Sequence, residues 1–306
     1  MQFDELAQAI DAVRAATDKP FGVNLRADAP DAAARIDLMA GRGVRVASFA
    51  QAPKPELISR AKDGGMVVIP SIGARRHAEK VAGWGADAVI VQGGEGGGHT
   101  GQVPTSLLLP QVVDAVGADV AVIGAGGFFD GRGLVAALAY GAVGVAMGTR
   151  FLLTQESPVG QAVKDLYLSK SVTDTVVTRQ VDGVPHRVLR TELVEQLEES
   201  GPVAGLVRAA RNAIAFRRLS HTPWSSFLRE GVAMRKSQDL SWPQVVMAAN
   251  TPMLLKAAMV DGRPDLGVMA SGQVVGMIDD LPTCAELLDR VMADAERTLD
   301  GLAGLR

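Results

Sequence analysis

"DVAVIGAGGFFDGRGL", residues 119–134, decides the fold: an apolar, β-branched run breaks into glycines and gives way to a helical pattern. Two architectures place such a loop at a strand end, the doubly wound dinucleotide-binding sheet and the (β/α) barrel with a phosphate site. The dinucleotide fingerprint G-x-G-x-x-G is met at Gly124 and Gly126 and fails at its third position, where Phe129 stands. A phenyl ring there crowds the close helix–strand packing that glycine permits. "GGGHTG", residues 96–101, repeats the spacing but lacks a well-placed acid for a ribose hydroxyl. The better fit is a pair of adjacent barrel loops, "AGG" (125–127) and "MGT" (147–149), each closing a strand. Their backbone N–H groups, a helix N-terminus and the Thr149 hydroxyl are expected to face an anion. The plainer reading is that these glycines only make tight turns.

Outward from that stretch the same unit repeats. "FGVNL" (21–25), "VRVASFA" (44–50), "MVVIPSI" (66–72), "ADAVIVQG" (86–93), "DVAVIGAGG" (119–127) and "GVAMGTRF" (144–151) are near-continuous apolar runs, the pattern of parallel strands buried on both faces. Helical patterns lie between them, and Gly43, Gly85 and Gly141 stand where left-handed caps are needed. Polar and glycine residues collect after the strands, where a barrel builds its site.

Composition agrees with a soluble small-molecule binder. The 306 residues are 47% hydrophobic with 34 glycines and a formal net charge of -3, which gives no basic footprint for nucleic acid. No run reaches the roughly 18 unbroken apolar residues of a membrane helix. One cysteine, Cys284, forms no internal disulfide, and the acidic opening "MQFDELAQAI" lacks the marks of a signal peptide, so a cytoplasmic location is expected. No metal is expected.

"VQGGEGGGHTG", "AGGFFDGRGLVAALAYGAVGVAMGTRFLLTQES" and "ASGQVVGMIDDLP" resemble the nitronate monooxygenase (2-nitropropane dioxygenase-like) family over nearly the whole chain. "GGFFDGRG", "VDGVPHRVLRTELVE" and "AANTPMLLKAAMVDG" look closest to an actinobacterial branch of steroid-ring degradation that works on coenzyme A thioesters. The resemblance implies an α/β fold, a TIM (β/α)8 barrel binding FMN, with residues 1–165 as its core and 166–306 as a mainly helical substrate region. It implies that Asn24 and Gln92 lie near the flavin, that Gly97, Gly98, Gly126, Gly127, Gly148 and Thr149 hold flavin and phosphate, and that His99 is the active-site histidine. An imidazole beside a flavin can donate a hydrogen bond to substrate or shuttle a proton. A loop histidine that merely satisfies local backbone is the alternative for His99. Glu95 either orients His99 or is an exposed loop carboxylate, and Gln273 either reaches the pocket or is structural. His77, in a polar helix pattern, is expected to be solvated, whereas His186 and His221 have no partner assigned from sequence.

The chain opens in a helix (Phe3, Leu6, Ile10, Val13) where the family begins with a strand, so about six βα units are expected, with two barrel strands absent. The first and last of the six strands are then expected not to pair. Farther on, "VDGVPHRVLRTELVEQLEES" fits a short β excursion and a helix. Arg208, Arg211, Arg217, Arg218, Arg229, Arg235 and Lys236 follow, either a solvated helical face or a set from which Arg217 and Arg218 grip thioester phosphates. Met247, Met253, Met259 and Met269 are either core or an adaptable pocket wall.

Three functions stay open. The first is an FMN-dependent oxidation of alkyl nitronates. The second is reduction or dehydrogenation of an enone or acyl-CoA thioester, with O2 or NAD(P)H as the flavin's partner. The third is a flavin-free inactive fragment. A homo-oligomer is compatible with all three.

Overall fold

The computed structural model describes residues 2–181, 183–199 and 254–305. Arg217 and Arg218, with the other basic residues from Arg208 to Lys236, lie outside the described residues, as do His221, Met247 and Met253.

The six apolar runs become parallel strands β1 (Gly22–Leu25), β2 (Val46–Phe49), β3 (Val67–Ile72), β4 (Ala88–Gln92), β6 (Ala121–Ala125) and β7 (Gly144–Ala146), in the sheet order β1-β2-β3-β4-β6-β7. Val46 stands opposite Val67 and Ser71 opposite Ile90 in this ladder. As expected, β1 and β7 occupy the two ends of the order and are not neighbours. The last run is shorter than its apolar pattern implies. The chain turns at Gly148, and Thr149 already opens α7 (Thr149–Leu152).

Between strands run α1 (Phe3–Ala16), α2 (Ala32–Gly41), α3 (Pro55–Asp63), α4 (Arg75–Gly83), α5 (Thr105–Val116) and α6 (Gly131–Ala139). Gly43, Gly85 and Gly141 have φ of 73, 95 and 89°, the left-handed caps read from sequence.

The chain divides into two compact units. One comprises Met1–Val91, Ser106–Gly124 and Tyr140–Gly144, with Ile10, Ile36, Met39, Phe49, Ile58 and Val68 fully buried at its centre. These are the inward positions of amphipathic helices and both faces of parallel strands.

The other unit comprises Gln92–Thr105, Ala125–Ala139 and Val145–Arg306. A second sheet is built here in the order β5-β9-β8, from β5 (Gly98–His99), β8 (Thr175–Thr178) and β9 (His186–Leu189), all antiparallel. The β excursion and helix expected after residue 181 are β9 and α9 (Glu192–Glu199). One core cluster joins Leu153, Val163, Tyr167, Leu189 and Met269, with Met259 packed against it, so both methionines are core filler. The closing helix α10 (Cys284–Ala303) starts on a capping box between Thr283 and Glu286. It packs on α6 so closely that a Cβ on Gly131 would lie 2.3 Å from Val291 O and Ala295 N.

Candidate active site

Gln92 ends β4, and its side-chain amide organises the loop that follows. Nε2 donates to the carbonyls of Gly97 at 3.2 Å and His99 at 2.8 Å, using both amide hydrogens to fold Gly93–His99 back on itself. The Thr100 hydroxyl donates to Gly93 O, and Gly93 N–H donates to Ala125 O. The loop is therefore pinned at both ends.

Glu95 settles elsewhere than on the role of orienting His99. Its carboxylate accepts the Thr105 backbone N–H at 2.9 Å and the Thr105 hydroxyl at 2.7 Å, capping the start of α5. The Glu95 carbonyl accepts Gln273 N–H at 3.0 Å.

The loop after β6 rests against this one at backbone distance. Gly126 has φ of 88°, and a Cβ there would sit 2.9 Å from Gly96 N and 3.1 Å from Gly93 O. A Cβ on Gly97 would lie 2.5 Å from the Ser271 carbonyl carbon, so the segment 271–273 closes on the same loop. Gly272 then reaches the third loop, for its N–H donates to Thr149 Oγ1 at 2.9 Å in a buried position. By contrast, a Cβ on Gly148 would meet nothing within 4 Å, and on Gly127 only Glu95 Cβ at 3.8 Å. Glycine is thus required by close approach at Gly97 and Gly126 and by a φ of 86° at Gly127, while the space beside Gly127 and Gly148 is open. Thr149 accepts from Gly272 and keeps its own proton to donate. Bare backbone beside a free hydroxyl proton fits a phosphate group.

His99 is exposed on β5, directly opposite His186 of β9. The two rings lie 4.7 Å apart between centroids at 51°, and His186 is buried. His186, which the sequence left without a partner, therefore backs the histidine read as catalytic. His77, on α4, has its pKa lowered by desolvation, with Arg76 and Lys80 acting the same way.

Gln273 lines a cavity of about 710 Å³ together with Gln102, Gln180, Arg179, Arg187 and Glu198. Arg187 was not singled out from sequence. Its Nε and Nη2 donate to Gly94 O at 3.1 and 2.9 Å, and Nη1 donates to Thr175 Oγ1 at 2.9 Å. Burial lowers its pKa, with the field of Glu95 acting in the opposite direction. Arg150, also missed, is buried beside Thr149 and is held by Asp280 at 3.0 Å and by Leu153 O at 2.7 Å.

Of the residues read from sequence, Gln92, Gly97, Gly98, His99, Gly126, Gly127, Gly148, Thr149 and Gln273 all belong to the second unit, on loops joined by the contacts above. Asn24 belongs to the first unit, exposed on β1.

Parallel βα units with glycine loops after successive strands are the build of TIM-barrel enzymes, and the likeness to known proteins places the chain among the flavin-dependent oxidoreductases of that build. The chain belongs to the nitronate monooxygenase family, whose profile matches residues 1–294. It is 62% identical over 306 residues to the Rhodococcus jostii protein named (3aS,4S,5R,7aS)-5-hydroxy-7a-methyl-1-oxo-octahydro-1H-indene-4-carboxyl-CoA dehydrogenase, covering all of this chain and 86% of that protein. The Mycobacterium tuberculosis protein of the same name is 64% identical over 296 residues, covering 96% of this chain and 83% of that one. Among solved structures, FabK from Thermotoga maritima superposes with a TM-score of 0.80 at 31% identity, covering the whole of this chain and 85% of that one. No described helix is long and apolar enough to cross a membrane.

Proposed function

We propose that this oxidoreductase holds FMN and dehydrogenates a ring-carboxyl coenzyme A thioester. The observation carrying the reading is likeness along the whole of this chain, 62% over 306 residues, to a protein named as a dehydrogenase of such a thioester. Residues 1–165 are the core that holds the flavin, and residues 166–306 supply the substrate side.

Bound FMN supplies a two-electron acceptor. Gly126, Gly127, Gly148 and the Thr149 hydroxyl hold its phosphate, in keeping with the bare backbone at Gly127 and Gly148 and the proton that Thr149 keeps. Gln92 fixes the carbonyl of His99 and so the loop carrying the imidazole. With FMN bound as the hydride acceptor, His99 would take up the proton of the substrate hydroxyl, and His186 behind it limits how the ring turns. Gly97 lets the loop pass close to the segment 271–273, and Gly98 takes a φ of 77° beside it. Asn24 is assigned to the flavin ring by family resemblance alone.

The test is an absorption spectrum of the purified protein followed by anaerobic mixing with candidate substrates. Flavin bands that bleach with the hydroxylated thioester support the reading. Bleaching by an alkyl nitronate alone would return the protein to the activity for which its family is named. Reoxidation by O2 against reduction by NAD(P)H then identifies the flavin's redox partner.

A further inference from the structure

The cavity beside Gln273 has a composition that the flavin does not explain. Its volume, about 710 Å³, is that of a small-molecule site. Three amide side chains, Gln102, Gln180 and Gln273, stand on its wall, and each can donate and accept at once. Two guanidinium groups, Arg179 and Arg187, join them. The hydrogen bonds that Arg187 makes to described residues end on neutral oxygens, Gly94 O and Thr175 Oγ1, and the charge that faces it is the Glu95 carboxylate. Three of its five N–H groups are committed in this way. Of the carboxylates on the wall, Glu95 is taken up by Thr105 and Glu198 by the Thr178 hydroxyl.

We propose that this cavity seats the phosphopantetheine arm of the thioester, the glutamines facing its amides and Arg179 its phosphates. The inference rests on the reading that the substrate is a coenzyme A ester. An arm of secondary amides ending in phosphates needs two-way hydrogen bonders along its length and a guanidinium at its end, and this wall supplies both. Gln273 fixes the direction. It follows Gly272, which touches Thr149, and its own N–H is bound to Glu95 O, so the amide end of the cavity abuts the phosphate cradle. Arg179 is exposed, which puts the charged end toward solvent. The arm's affinity therefore comes from residues of the β8–β9 hairpin and of the loop after β4.

Calorimetric titration of the purified protein with coenzyme A and with pantetheine, which lacks the phosphates, tests this. The wild type is expected to bind coenzyme A more tightly than pantetheine, with an affinity that falls as salt rises. Arg179→Gln is expected to weaken coenzyme A about tenfold and leave pantetheine unchanged, while Arg179→Lys keeps most of the affinity. The proposal is overturned if the wild type does not bind coenzyme A, if R179Q binds it as the wild type does, or if R179Q weakens both ligands equally. Thermal melts of the variants show whether each is folded. Anaerobic flavin reduction by the thioester is read separately, so loss of the arm's site and loss of the proposed activity give different results.

Discussion

Thr149 Oγ1 accepts the backbone N–H of Gly272 at 2.9 Å, a buried bond that ties the loop after β7 to the segment leading into Gln273. Thr149→Val keeps the shape and removes the acceptor, leaving a buried N–H unsatisfied at a cost of about 1–3 kcal/mol. The expected outcome is a lower melting temperature together with less flavin per protein, read from the visible absorbance. Thr149→Ser restores both, because the hydroxyl is what matters. A valine variant with full flavin content would remove Thr149 from the phosphate cradle.

Gly126 combines a φ of 88° with a neighbour, Gly96 N, only 2.9 Å from any added Cβ. Gly126→Ala therefore meets backbone strain of about 1–3 kcal/mol and must also push the β4 loop aside. Urea unfolding is expected to shift its midpoint down, and flavin content to fall with it. Gly148→Ala is the contrast, since nothing lies within 4 Å of its Cβ position. It should fold normally and lose cofactor only if the bare backbone there faces a ligand.

The parallel strands and their caps were legible because both signals are local. β-branched runs such as "MVVIP" specify buried strands, and Gly43, Gly85 and Gly141 mark the left-handed ends of helices. The glycine-rich loops at 96–98 and 126–127 were legible as strand ends for the same reason. The partners of His99 and Thr149 were not, for β5 is two residues long and finds β9 only through a contact distant in sequence. The alternation His186-x-Val188 within "PHRVL" was the available signal, since it puts the imidazole and an apolar residue on one buried face. Arg187 points the other way and was hidden among many arginines. Glu95 illustrates the limit of spacing arguments: it lies four residues from His99, yet its carboxylate is settled by Thr105.

Asp280 gives the acid side of the stability profile a specific residue. Partial burial opposes its charge, but Arg290 and Arg150 outweigh this and hold its pKa below the ordinary value of 3.8. A carboxylate depressed in the folded state adds stability that is fully present above its unfolded pKa and is lost as pH falls through the folded one. The wild type is thus expected to lose stability below about pH 4 partly through this group. Asp280→Asn should be less stable at neutral pH and show a flatter decline between pH 5 and 3, followed by urea midpoints at each pH. Parallel curves for the two proteins would show that Asp280 contributes nothing to acid sensitivity.

Gln92 is the residue whose loss separates positioning from chemistry. Its amide holds Gly97 O and His99 O and forms none of the cradle's own backbone, so Gln92→Leu frees the loop while the strand β4 that carries it remains packed. A histidine displaced by a fraction of an ångström from its working position costs rate more than binding. The variant is expected to keep its flavin, to show faster hydrogen exchange across Gly93–His99, and to lose about tenfold or more in kcat with little change in KM. Gln92→Glu has only acceptors when ionised and cannot replace the two donated bonds, so it should resemble leucine. If Q92L instead loses flavin and retains kcat per bound flavin, Gln92 serves the cofactor directly and the loop needs no clamp.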